Sequence, residues 1–168
     1  MTREENTSSG SKRSSAVLSD CREYRYRLTR EWNAEKPAVA FLMLNPSTAD
    51  ETEDDPTIRR CIGYAKDWGY GSLVVGNLFA LRSSDPSDLR EHPDPIGPDN
   101  DEHLQFICDN AEMVVAAWGT DGALKERGKE VAQTLNENLY ALNTTKEGHP
   151  NHPLYQPKDA EPEPFLYE

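Results

Sequence analysis

Amides and imidazoles, rather than thiols or phosphate loops, are the side chains in this sequence whose placement could do chemistry. Asn45-Pro46-Ser47-Thr48-Ala49-Asp50 follows an apolar run. Proline disfavours a helical conformation at the residue before it, so Asn45 is expected to be extended at the rim of that run, its amide facing outward. A turn or helix cap is the competing use of the same residues. Asn77 stands between Val75 and Leu78. Burying its amide costs free energy unless it is hydrogen-bonded, so it needs either a neighbouring loop backbone or a ligand. Trp118-Gly119-Thr120-Asp121-Gly122 puts glycines where backbone can approach a ligand closely, although no P-loop or GxGxxG pattern follows. The densest polar cluster runs from Lys146 to Tyr155 and holds His149 and His152, each followed by proline. Two histidines could ligate a metal, but no third ligand stands at useful spacing, so no metal site and no cofactor is expected. The acidic run Asp50, Glu51, Glu53, Asp54, Asp55 either holds Mg²⁺ or forms a solvated loop. Cys21, Cys61 and Cys108 are far apart, without a CxxC or Cys/His pairing. That excludes a disulfide framework and an iron–sulfur cluster, and Cys61 and Cys108 read as core thiols.

The elements that must hold these groups alternate. Tyr24, Tyr26 and Leu28 alternate with Arg25, Arg27 and Thr29, the pattern of a half-buried edge strand. Ala38 to Leu44 is continuously apolar between Pro37 and Pro46, as a buried parallel strand should be. Asp55 caps and Pro56 begins a helix with Ile58, Cys61, Ile62, Ala65 and Trp68 on one face, stopped by Gly69. Strand Leu73 to Ala80 follows, then a helix from about Asp99 with Leu104, Ile107, Cys108 and Ala111. Strand Met113 to Trp118 precedes a last helix carrying Leu124, Val131, Ala132, Leu135 and Leu139, and a short strand Tyr140 to Asn143. Such alternation predicts a three-layer α/β/α domain with a mainly parallel four-stranded core sheet and an added N-terminal edge strand. Residues 21–155 form that single domain, between tails at 1–20 and 156–168 that lack periodicity. Ligands of open α/β sheets bind beyond the C-terminal strand ends. Asn45, Asn77, Trp118 and the histidine loop all converge on that edge.

Composition bounds the rest. A chain of 168 residues suits one core. No run reaches the roughly 18 apolar residues of a membrane helix, and the N-terminus lacks a signal-type apolar stretch, so a cytoplasmic protein with no membrane partner is expected. Asp and Glu number 30 against 18 Lys and Arg, for a net charge of −12. Self-repulsion of that size is tolerable where salt screens it, which suggests a high-salt, halophilic-type cytosol. It argues against nucleic acid only at ordinary ionic strength.

Between Tyr24 and about Tyr155 the sequence resembles an uncharacterised family, the domain of unknown function catalogued under serial number 1643. The resemblance rests on Leu44 to Asp50, Asp55-Pro56-Thr57, Asn77-Leu78-Phe79-Ala80, Ala117-Trp118-Gly119 and His152-Pro153-Leu154-Tyr155. More distantly, the order of an Asn-Pro motif, a strand asparagine and a His-Pro loop is similar to that of the uracil-DNA glycosylase superfamily. That resemblance implies a nucleobase N-glycosyl hydrolase acting in base excision, on DNA or another nucleobase-containing ligand. It implies that Asn45 orients the attacking water, with Asp50 assisting. Asn77 reads the base, with Trp118 beside it, and His152 stabilises the departing base, with His149 as its rival. The alternative class is a non-catalytic module that binds a nucleotide or single-stranded nucleic acid in the same crevice.

Overall fold

The computed structural model describes residues 2–9, 12–47, 49–50, 52–85, 87–135 and 138–166, with side chains from residue 14 onward. Parts of both expected tails, and Thr48 and Glu51 of the Asn-Pro and acidic segments, lie outside the described residues. In chain order the elements are β1 (Thr2–Ser9), β2 (Lys12–Ser19), β3 (Arg25–Glu31), β4 (Ala38–Met43), α1 (Pro56–Asp67) and β5 (Ser72–Asn77). There follow α2 (Ser87–Glu91), α3 (Asn100–Asn110), β6 (Met113–Ala116), α4 (Arg127–Thr134), β7 (Leu139–Ala141) and β8 (Glu163–Phe165). Short 3-10 turns occupy Thr120–Glu126 and Pro153–Tyr155. Among the described residues the strands form one mixed sheet in the order β1-β2-β3-β5-β4-β6-β7-β8. β4 pairs in parallel with β5 and β6, and β6 with β7, while the outer pairings are antiparallel.

Alternation along β4 decides where the helices go. Val39, Phe41 and Met43 join Ile58, Cys61, Tyr64 and Ala65 of α1 on one face. Ala40 and Leu42 join Leu104, Ile107 and Cys108 of α3 and Val131 of α4 on the other. Asp55 starts α1 by accepting the Ile58 N–H at 2.9 Å, with Pro56 behind it in the first turn, so both N-terminal signals in the sequence act as expected. Gly76 lets α3 come close to the sheet: a Cβ there would lie 2.7 Å from Ile107 Cδ1.

Several expectations change. Most of the segment read as an N-terminal tail is strand, and Ala16, Val17 and Leu18 of β2 are buried. Polar flanks conceal a strand whose apolar content is only those three residues. β3 is consequently not an edge, because it lies between β2 and β5. The C-terminal segment is also tied down, with β8 paired to β7 and Phe165 buried. The last helix is shorter than its apolar spacing suggested: Leu124 and Lys125 leave helical geometry, Lys125 and Glu126 have φ of 55°, and Leu139 belongs to β7.

The most consequential change is in β3. Val17 and Leu18 of β2 stand opposite Arg27 and Arg25, so Tyr26 is an extra residue on the β3 side. A β-bulge of this kind reverses the facing of everything beyond it. Leu28 therefore packs on the α1 side while Tyr24 and Tyr26 pack on the opposite side, not all three together as simple alternation requires. Arg25 is carried to the α1 side and is buried.

Candidate ligand crevice

The C-terminal ends of β4, β5 and β6 open onto a cavity of about 600 Å³, within the range of small-molecule sites. The chain runs from β4 to β5 on one side and then crosses to β6 on the other, so the cavity stands where strand order reverses, the place where open α/β sheets form a crevice.

Asn77, the last residue of β5, is 1% exposed and lines the cavity on the same face as Val75. Neither its Nδ2 nor its Oδ1 has a hydrogen-bond partner among the described residues, so no loop backbone satisfies it. Its main chain is fixed from the α3 side. Asn100 Nδ2 donates to the carbonyls of Asn77 and Leu78 at 2.9 and 3.1 Å, and Arg127 Nε donates to that of Leu78 at 2.9 Å. Arg127 is held in turn by Asp101 and Glu130, each at 2.6 Å.

His152 lines the same cavity from the far side. Its Nδ1 accepts the Leu154 N–H at 3.2 Å. Burial pushes its pKa below the usual histidine value, with Asp55 pulling the other way. The ring is therefore neutral near pH 7, with the proton on Nε2 available to donate. His149 is not part of the lining; its backbone is engaged with Thr145.

Asn45 borders the cavity, but its Nδ2 donates to the carbonyls of Pro46, Leu81 and Ser83 at 3.1, 3.3 and 2.9 Å. The amide braces two loops, and among the described residues only its Oδ1 is uncommitted. Asp50 is absent from the lining and closes its own turn. Its Oδ1 accepts from Thr52 N, Thr52 Oγ1 and Glu53 N at 2.9, 3.1 and 2.8 Å. Two carboxylates line the crevice instead, the exposed Asp121 and the buried Asp55, which also accepts from Ser47 Oγ at 3.1 Å. Trp118 forms part of the wall, yet it is buried, edge-on to Phe165 with centroids 6.2 Å apart. Gly122 crowds it so closely that a Cβ would lie 2.0 Å from its ring. The exposed aromatic at the mouth is Tyr155, 81% exposed and 5.6 Å from the His152 ring.

Sequence reasoning thus missed Arg25, Asp55 and Tyr155 as site residues. Tyr155 stands in the His-Pro motif, and Asp55 was legible only as a cap. Arg25 gave no signal, since regular alternation puts it on the polar face. It is 2% exposed, lines the cavity, and donates from Nη1 to the Ala49 carbonyl at 2.9 Å. Burial lowers its pKa to about 10, and Asp55 opposes the shift, so it remains a cation at neutral pH. Among the described residues no group of three or more His, Cys, Asp or Glu is placed to hold a metal ion. Nor is any helix among them long and apolar enough to cross a membrane.

No curated protein and no solved structure matches the chain. The model of a family described as "Protein of unknown function (DUF1643)" matches residues 25–154, a span that begins at Arg25 and ends two residues past His152. The match therefore takes in the crevice lining up to Leu154, and the chain belongs to the DUF1643 family.

Proposed function

We propose that the crevice binds a nucleobase-containing ligand and hydrolyses its N-glycosidic bond. The observation that carries this reading is the Asn77 carboxamide, which borders the cavity while buried and offers both a donor and an acceptor without a protein partner. Leaving such groups unsatisfied costs about 1–3 kcal/mol each. The edge of a base presents a donor beside an acceptor and satisfies both together. His152 supports the same reading, because its Nε2–H can meet an oxygen that gains negative charge as the base departs. Donors of that kind contribute on the order of 10²–10³-fold in rate. Tyr155 supplies a face for stacking. Asn45 Oδ1 and Asp55 are the acceptors at hand for an attacking water, Asp55 taking the role first expected of Asp50.

The three-layer, uracil-DNA-glycosylase-like arrangement around a four-stranded parallel core belongs to this proposal. Parallel pairing of β5, β4, β6 and β7, with α1 on one face and α3 and α4 on the other, supports it. A base within a duplex would have to be extruded to reach Asn77. One observation favours the non-catalytic alternative: both Asp55 oxygens are engaged, with Ile58 N and Ser47 Oγ, which weakens it as a general base.

Base release from single-stranded and duplex oligonucleotides containing uracil, hypoxanthine or mismatched bases, at low and high salt, tests the proposal. Wild type should release base, His152→Ala should lose about 10²–10³-fold, and Asn77→Asp should change which base is preferred. Binding without release by folded protein would establish the binding module instead. Neither binding nor release would end both readings.

A further inference from the structure

We infer that Arg25 forms an anion subsite in the crevice, so that the ligand it takes is phosphorylated, a nucleotide unit rather than a free base or a neutral nucleoside. This rests on the nucleobase reading of the same crevice and names its substrate class.

Comparison among the buried arginines carries the inference. Three of the described arginines, Arg25, Arg30 and Arg127, are buried. Arg30 pairs with Asp54 at 2.8 Å and also donates to the carbonyls of Thr29, Asp50 and Glu53. Arg127 pairs with two carboxylates and donates to a carbonyl. Arg25 alone of the three has no ion pair among the described residues, and its single hydrogen bond is to the Ala49 carbonyl from Nη1. Its Nε is buried without a partner, so the whole Nε–Nη2 edge is uncommitted. That edge is the one that fits two oxygens of a phosphate side by side. A buried guanidinium without a contact ion pair is costly, and Asp55 and Asp50 attract this one only from beyond contact distance, which is conspicuous in a chain with 30 acidic residues. The β3 bulge is what directs this side chain into the cavity rather than to the opposite face.

The surroundings suit a phosphate that continues outward. The cavity shares Ser47, Ser83 and Ser84 with a shallower groove lined by Arg82. Arg82 likewise makes no ion pair among the described residues, and its guanidinium donates to the Arg22 carbonyl at 3.5 Å. Arg25 in the cavity and Arg22 and Arg82 in the groove thus flank the shared serines, with Asp55, Asp121 and Glu23 as the carboxylates of the same two linings.

Titration of the ¹⁵N-labelled protein, following arginine Nε–H resonances with Arg25→Gln to identify the Arg25 signal, tests this on the unmodified chain. Inorganic phosphate, the four nucleoside 5′-monophosphates, the matching nucleosides and a single-stranded oligonucleotide without terminal phosphates are the probes. The expected result is that inorganic phosphate moves the Arg25 Nε–H signal and that a monophosphate or the oligonucleotide binds about tenfold or more tighter than the nucleoside. Preference between those two distinguishes a phosphomonoester from a phosphodiester source. Phosphate binding at Arg25 with no nucleotide binding better than phosphate would keep the subsite and remove the nucleobase reading. Nucleosides binding as tightly as nucleotides, with the Arg25 signal unmoved, would remove the subsite and keep that reading. An Arg25 signal indifferent to every probe overturns the inference.

Discussion

Asn77 and His152 face one cavity but answer differently to pH. The amide does not titrate. The imidazole does, and protonating Nδ1 forfeits the Leu154 N–H bond it accepts. His103 is similar, since its Nδ1 accepts from Arg27 Nε at 3.1 Å and burial lowers its pKa as well. For both, the folded pKa lies below the unfolded value of 6.5, so the unfolded chain binds more protons between the two values. Their stabilising contribution is complete above the unfolded pKa and is lost as pH falls through the folded one. Melting temperature should therefore drop as pH is lowered through 6.5 and below, and His152→Gln should flatten that drop. An unchanged profile in the variant would show that His152 is not the buried neutral base described. At this scale the sequence disclosed positions better than roles. Asn77 was legible because an amide among apolar strand residues demands a partner. Asn45 looked equivalent, but its nitrogen is committed to three carbonyls from loops that only the fold brings near.

Elements marked at both ends were readable, and those defined by distant partners were not. α1 has its cap, its proline and its glycine in the sequence. β2 and β8 have no such marks, and their pairing is with strands that local periodicity cannot identify. Bulges are hidden for the same reason, because Tyr26 is an extra residue only relative to β2. If β2 is integral to the core, Leu18→Ala should cost about 2–5 kcal/mol, as expected for a buried leucine, measured by urea denaturation. A true tail would tolerate the change without loss. The Asp55 cap has a smaller expected effect: Asp55→Ala should cost about 1 kcal/mol through the lost Ile58 bond alone. A much larger loss would show that its attraction for Arg25 is structurally important too.

Across the whole molecule, the acidic excess and the buried Arg25 cation of the crevice are two sides of one distribution. A net charge of −12 repels itself, and raising salt to about 1 M shortens the screening length to about 3 Å. Melting temperature should rise from low salt to that concentration; a fall would point to ion pairs such as those of Arg127 and Arg30 as the dominant electrostatic contribution. The chain is also anchored after it leaves the crevice. Beyond the histidine loop, Tyr64 Oη donates to the Pro157 carbonyl at 2.6 Å and Trp68 Nε1 to that of Ala160 at 3.3 Å, before β8 joins β7. The loop that bears His152 is thus a bight made fast at both ends, one in the sheet and the other against α1. It is the jamb of the doorway rather than its door, the imidazole's place being set by the sheet on one side and by α1 on the other.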